Sequence, residues 1–320
     1  MLRYSIRRVG AMMPLLIIVT AFVFILGQYG AADLAMELTL KLNDNVFDPE
    51  LYEAFREELG LDRPVLVRFA RFLAGAIRGD FGRSYVLQGT PDIGRMMFAA
   101  LPISAQLALA AITIVIVVGI PLGVVAALGR NTIIDYAIGT TVTVLSSIPI
   151  FVLIPVSMYL LVVQWNIIPT VGTGWQGLFH KEIILPASCL AIGPMLGVVR
   201  YTRAQVGEVL SQEYVRAARA RGLSQWSVVS RHVVKNSMTP VLTVLGMSAA
   251  RLLGGSIFVE AAFGYRGFGW VAVGAFRGGD VRTVAATTLV SATIVMVANV
   301  VVDFFYGLLD PRVRLGRRSA

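Results

Sequence analysis

The chain has 320 residues and a formal net charge of +9, yet 56% of its residues are hydrophobic and only 15% charged; its mean hydropathy is +0.74. That balance excludes a soluble globular domain. On so apolar a chain the positive excess marks arginines at a membrane surface rather than a nucleic-acid interface. The single cysteine, Cys189, and the two distant histidines, His180 and His232, supply neither a disulfide nor a metal cage. An all-α integral membrane protein is what remains.

In chain order, Arg3, Arg7 and Arg8 precede an apolar run that reaches Gly27. A signal peptide has a similar start, but this run is long for one and no small-residue cleavage site follows at Gln28, Tyr29 and Gly30. A retained first transmembrane helix within residues 1–28 is the expectation. Residues 29–95 are more polar. Asp48 followed by Pro49 predicts an N-cap with proline at N1, and Leu51, Phe55 and Leu59 recur every four residues up to Gly60. A second helix is predicted from Pro64 to the Gly79–Gly82 turn. Leu66, Phe69, Phe72, Leu73 and Ile77 share one face of it, with Arg68, Arg71 and Arg78 off that face. Both helices are amphipathic and too polar to span, which predicts a small helical extracytoplasmic subdomain over 29–95.

Further apolar stretches lie near 98–128, 136–163, 184–204, 239–262 and 284–308. They bring the predicted spans to six, with a five-helix core over 96–311 and a basic tail at 312–320. Pro102, Pro121, Pro149, Pro155, Pro186 and Pro194 fall in these stretches. Membrane helices tolerate such prolines where neighbouring groups re-satisfy the freed carbonyls, and the pattern predicts kinked helices around a polar path. Ser146, Ser147 and Pro149 are the candidate path-lining residues, joined by Arg251 and Glu260, because a charge at membrane depth is costly and faces a cavity or a partner. Ordinary kinks and paired anchors are the alternatives. Arg130, Arg200, Arg203, Arg216, Arg219, Arg221, Arg231 and Lys235, with the basic ends of the chain, fall in segments expected inside. Only Asp135, Glu208, Glu213 and Asp310 oppose them there, so both termini are expected in the cytoplasm.

The largest such loop, 205–238, contains the most basic stretch in the second half of the chain. Ser211 is the predicted N-cap of a helix of about three turns, with Glu213 in its first turn and Gly222 at its end. Ser224 is the predicted cap of a second helix ending near Lys235 and Asn236. Ala217, Ala218 and Ala220 leave part of the first helix nearly bare, while Arg216, Arg219 and Arg221 project from the rest. That shape suits docking into a partner's groove, with a solvated basic loop as the competing reading.

The stretch from Glu213 to Leu223, EYVRAARARGL, resembles the cytoplasmic EAA loop of binding-protein-dependent ABC importer permeases. It is most similar to the dipeptide/oligopeptide/nickel branch, with Arg216 where the broader motif has its acidic residue. ELGLDRP at 58–64, RGDFGRS at 78–84, GIPLGVVAA at 119–127, SIPIF at 147–151 and RHVVKNSMTP at 231–240 agree in order. Asn299, Asp303, Tyr306 and the Asp310-Pro311-Arg312 ending follow. Two departures stand out. Gly30-Ala31-Ala32-Asp33 replaces a Pro-Gly-Asp-Pro, and Arg266 replaces a proline in the Gly264–Gly269 segment.

The resemblance implies a type I ABC importer transmembrane domain, six transmembrane helices with an extracytoplasmic insertion after the first, and specifically the first or "B" permease subunit. Glu213, Tyr214, Arg216, Ala217, Ala218, Arg219, Ala220, Arg221, Gly222 and Leu223 would form the ATPase-coupling helix, and Asn299 and Asp303 would fix helix packing. Implied partners are a homologous second permease in a heterodimer, two cytoplasmic ATPase subunits, an extracytoplasmic solute-binding protein and the lipid bilayer of the cell inner membrane, with no nucleic acid. The chain has no GxxxxGK[ST] phosphate loop. ATP and Mg are therefore expected in the partner subunits, with no cofactor, metal or catalytic residue here. Di- and oligopeptides are the expected cargo. Nickel chelates, oligosaccharides, glutathione or haem are alternatives, and a secondary transporter is a distant one, since no inverted repeat is visible.

Overall fold

The computed structural model describes residues 2–30, 33–84, 92–168 and 177–309. Among these the architecture is helical, with one isolated bridge between Arg83 and Asp92 and no strand. The helices in order are α1 (Leu2–Gly30), α2 (Leu34–Leu42), α3 (Pro49–Glu58), α4 (Val65–Ile77), α5 (Ile93–Ile114), α6 (Ile120–Leu128), α7 (Ile133–Ser147), α8 (Ile150–Met158), α9 (Ile184–Leu210), α10 (Glu213–Ala220), α11 (Gln225–Val228), α12 (Lys235–Phe263), α13 (Phe268–Arg277) and α14 (Val281–Leu309). π-helical turns join α5 to α6, extend α8 and join α11 to α12. The first contains Val117, whose carbonyl the missing N–H of Pro121 leaves to be re-satisfied by a locally altered turn.

Among the described residues four helical stretches are long and apolar enough to cross a membrane: Gly10–Tyr29, Ile93–Leu128, Lys181–Leu210 and Val281–Val301. The expected third span is not one kinked helix. It consists of α7 and the α8 segment through Gln164, bent by 103°, and at about 22 Å neither half alone crosses a hydrocarbon core of about 30 Å. The bend has a local cause. Ile148 precedes Pro149 and is extended, at φ −89° and ψ 116°, as the clash with a following proline ring demands. Ser146 and Ser147 close the end of α7 by donating to the Thr143 carbonyl at 2.8 and 3.0 Å. At the expected fifth span stands α12, 29 residues long.

Contacts divide the chain into two compact units, one of residues 103–265 with 2–6 and 295–309, the other of residues 7–102 with 266–294. In the first, α9 is the central helix. Leu185, Ala187, Cys189, Leu190, Ala191 and Val198 bury into a cluster with Leu107, Ala111, Val115, Val241, Leu245 and Val259. α6 approaches α9 closely because Gly119 and Gly123 lack side chains: a Cβ on Gly123 would meet Thr202 Cβ at 2.6 Å and the Val199 carbonyl at 2.8 Å.

In the second unit, Phe24 of α1, Phe69 and Phe72 of α4, Phe81, Ile93 and Met97 pack with Phe268, Val271, Ala285 and Ala286. Asp48 caps α3 through the amides of Glu50 and Leu51, with Pro49 at N1, as expected. α2 and α3 share a small cluster of Ala35, Leu38 and Leu59. The Tyr52 hydroxyl donates to Asp33 at 2.7 Å, and this bond raises its pKa above the ordinary tyrosine value. α4 buries Phe69 and Phe72 but leaves Leu66 and Ile77 exposed, so its buried stripe is narrower than the periodicity predicts. Exposed Arg266 stacks its guanidinium over Trp270, 5.8 Å from the ring centroid.

Candidate functional site

The basic stretch folds as a helical hairpin against α9, with two departures from expectation. Ser211 does not cap α10. It closes α9, its hydroxyl donating to the Glu208 carbonyl at 2.7 Å, and Gln212 takes the N-cap position, its carbonyl accepting from the amides of Val215 and Arg216. At the other end, Lys235 and Asn236 terminate nothing: α11, a π turn and α12 run on from Gln225 to Phe263. Asn236 instead ties the hairpin together, its amide donating to the Tyr214 hydroxyl at 3.2 Å and to the His232 carbonyl at 2.8 Å.

Gly222 ends α10, as expected, though after eight residues rather than three turns. The Leu223 amide reaches the Ala218 carbonyl and the Gly222 amide the Arg219 carbonyl, a Schellman pair that needs the left-handed φ of +81° at Gly222. Ser224 caps the next turn by accepting from Ser227 N at 3.4 Å.

Burial decides which face of α10 is available. Val215 and Ala218, three residues apart, turn inward onto Ala127, Val206, Val228 and Val233. Ala218 therefore belongs to the chain's own core and not to the bare outer face. Outward stand Glu213, Tyr214, Arg216, Ala217, Arg219, Ala220, Arg221, Gly222 and Leu223, continued by Trp226 at 78% exposure. Three arginines and the large apolar side chains of Tyr214, Leu223 and Trp226 thus lie exposed on the one hairpin, residue types that are enriched in protein–protein contacts. The inward role of Val215 and the bridging role of Asn236 escaped the sequence reading. The i, i+3 spacing of Val215 and Ala218 was a usable signal for the first; nothing in the sequence pointed to the second.

The candidate path residues separate. Arg200 donates to the Ser146 hydroxyl at 2.8 Å, so Ser146 joins α7 to α9 at an exposed position, and Ser147 and Pro149 lie exposed at the bend. Nearby, a groove of about 510 Å³ between α7 and α9 is lined by Arg200, Arg203 and Asp135. Asp135, 4% exposed, forms a bidentate pair with Arg203 and also accepts from Asn131 N at 3.0 Å. Glu260 is fully buried and is not brought to this groove. Asn299 is half-buried on α14. The side chains of Arg251 and Asp303, together with Asp310, Pro311 and Arg312 and the tail, lie outside the described residues. Among the described residues no group of His, Cys, Asp and Glu is placed to hold a metal.

Long apolar helices, a bent helix pair where a third span is expected and an outward arginine-and-aromatic hairpin are features of a membrane protein with a docking surface. Comparison with known proteins defines it further. Residues 119–315 match the model of the binding-protein-dependent transport system inner membrane component, and residues 1–99 match the N-terminal model of the same kind of component. The chain belongs to this family. It is 32% identical over 319 residues to the dipeptide transport system permease protein DppB of Bacillus subtilis, covering 100% of both chains. It is also 32% identical to the oligopeptide transport system permease protein AppB of the same organism, over 98% of this chain and 99% of that one. A crystal structure of an amino acid ABC transporter shares the fold, with a TM-score of 0.50 and 19% identity over 68% of this chain and 94% of that chain.

Proposed function

We propose that this chain is the first of two permease subunits of an ABC importer for di- and oligopeptides, lodged in the inner membrane with both termini and the 205–238 hairpin in the cytoplasm. The observation that carries the cargo is the end-to-end similarity to dipeptide and oligopeptide permeases. The outward face of α10 supports the drive. ATPase subunits would receive Arg216, Arg219, Arg221 and Leu223, and ATP-driven closure of their dimer would move the α10–α12 hairpin as one lever. An extracytoplasmic binding protein would deliver the peptide on the side of residues 29–95, and a homologous second permease would complete the path. ATP and Mg would be held by the ATPase subunits, with no cofactor or catalytic step in this chain.

The test is uptake of a labelled tripeptide by cells carrying or lacking this chain, with the membrane potential clamped. Loss of uptake on deletion and on ATP depletion is expected. Uptake that persists without ATP but follows an ion gradient would overturn the drive in favour of secondary transport. Uptake of a nickel chelate or oligosaccharide in place of peptides would overturn the cargo.

A further inference from the structure

Within the second unit lies a cavity of about 600 Å³ whose lining includes six arginines, Arg56, Arg63, Arg68, Arg71, Arg83 and Arg282. The docking face of α10 makes no use of it. Arg68 and Arg71 lie on α4 and Arg282 at the first turn of α14. Arg68 is half-buried, and burial first, then the like charge of Arg282, hold its guanidinium below its ordinary pKa against the opposing pull of Asp62. Gly82 lets Arg282 approach: a Cβ there would stand 2.9 Å from Arg282 Nη1.

The lining also carries five carboxylates, Asp33, Glu57, Glu58, Asp80 and Asp280, so it presents both charges. Asp280 is engaged by the Ser84 and Thr283 hydroxyls at 2.6 Å each and by Thr283 N at 3.0 Å. Asp80 accepts from Gly82 N at 2.9 Å, and Asp33 from Ala35 N, Met36 N and the Tyr52 hydroxyl. Ion pairs within 4.0 Å include Arg56–Glu53, Arg95–Asp92, His180–Glu182 and Arg203–Asp135. None of these involves Arg63, Arg68, Arg71, Arg83 or Arg282. Glu57 and Glu58, exposed on α3, complete the acidic part of the lining.

Guanidiniums gathered without a close ion pair keep their planar forks open to a carboxylate or a phosphate. Two exposed glutamates in the same lining are unfavourable for a phosphate alone but suit a ligand that also carries a cation. A free peptide has one group of each kind, and the cavity volume falls in the range of small-molecule sites. We propose that this cavity binds peptide, with Arg68, Arg71 and Arg282 holding the C-terminal carboxylate and Glu57 and Glu58 the N-terminal ammonium. The proposal rests on the peptide reading above and adds a contact between cargo and permease outside the binding protein.

The full-length chain in phosphatidylcholine nanodiscs, titrated with trialanine and followed by saturation-transfer NMR, tests it. Trialanine is expected to bind, and C-terminal amidation or the Arg68→Gln/Arg282→Gln pair to weaken binding at least tenfold. Arg68→Lys keeps the charge but loses the fork, and its expected severalfold loss in a protein of unchanged thermal stability separates recognition from misfolding. Glu57→Gln/Glu58→Gln should erase the preference for free over N-acetylated trialanine. Equal binding of acid and amide overturns the proposal. So does inorganic phosphate, or phosphatidylglycerol in the nanodisc, occupying the arginines without competition from trialanine. If cells import tripeptides while acid and amide bind equally, this inference fails and the importer reading stands; if cells import none, the importer reading itself fails.

Discussion

Gly222 is the residue at which backbone chemistry decides the shape of the outward hairpin. Its φ of +81° is left-handed, and a Cβ there would meet nothing within 4 Å, so the penalty for any other residue is conformational, about 1 kcal/mol for alanine. Gly222→Ala should insert normally and lower peptide uptake severalfold. Gly222→Pro can adopt neither this φ nor the amide bond to Arg219, and should abolish uptake while the protein still inserts; normal transport-coupled ATPase activity in such a complex would sink the lever model. Tyr265 makes a second prediction at this scale. It is 2% exposed, its hydroxyl reaching the Glu182 carbonyl at 3.3 Å. Burial, then the nearby Glu182 carboxylate, push its pKa from 10.0 up to about 12. A folded-state pKa above the unfolded one favours the neutral phenol, so the contribution is complete below pH 10 and lost as pH rises toward 12. Melting curves between pH 9 and 12 should show a steeper alkaline loss for wild type than for Tyr265→Phe; parallel curves would show that this phenol carries no linkage.

At the scale of elements, the α6–α9 seam rests on an absent side chain. Gly123→Ala places a Cβ within 3 Å of Thr202 and the Val199 carbonyl, and overpacking of this kind costs about 1–3 kcal/mol. Gly139→Ala on α7 meets nothing within 4 Å and should be neutral or slightly stabilising. Thermal unfolding of the two variants in one detergent compares them, and equal melting temperatures would refute the close-packing account. The α7–α9 pair adds a polar counterpart. Arg203→Ala leaves Asp135 with only the Asn131 amide and should lower stability. Arg203→Lys should recover only part of it, because one ammonium cannot form the fork. Chemical denaturation of the three proteins ranks them.

These elements also show what could be read from the chain itself. Asp48-Pro49, Gly222 and Ser224 were legible because capping depends on one residue and its immediate neighbours. Ser211 was not, since the residue that caps α10 is chosen by where α9 stops. Ala218 looked like part of a bare outer face, and only the packing of α10 on Val206 and Val233 turns it inward. The arginines of the second unit read as the polar side of α4. That Arg68 and Arg71 meet Arg282 in one cavity is a contact across about two hundred residues, which no local pattern encodes.

For the whole molecule, the outward hairpin is the feature that a lone chain leaves unexplained. Tyr214, Leu223 and Trp226 are 44%, 43% and 78% exposed beside three arginines. Aromatic anchors with flanking guanidiniums are the residues that dominate the energetics of protein contacts. The composition offers a clean probe. Cys189 is the only cysteine; it is 3% exposed and packed against the Ser157 hydroxyl, so an introduced thiol would react without background. Trp226→Cys should label rapidly with a bulky maleimide in the isolated chain and at least tenfold more slowly once the ATPase subunits are bound, whereas Glu50→Cys on α3 should label equally in both states. Removing the indole should also weaken assembly by about 2 kcal/mol, the usual scale for such an anchor. Undiminished labelling at position 226 in an ATP-hydrolysing, transport-competent complex would place the ATPase contact elsewhere on the chain and leave the α10–α12 hairpin without its lever role.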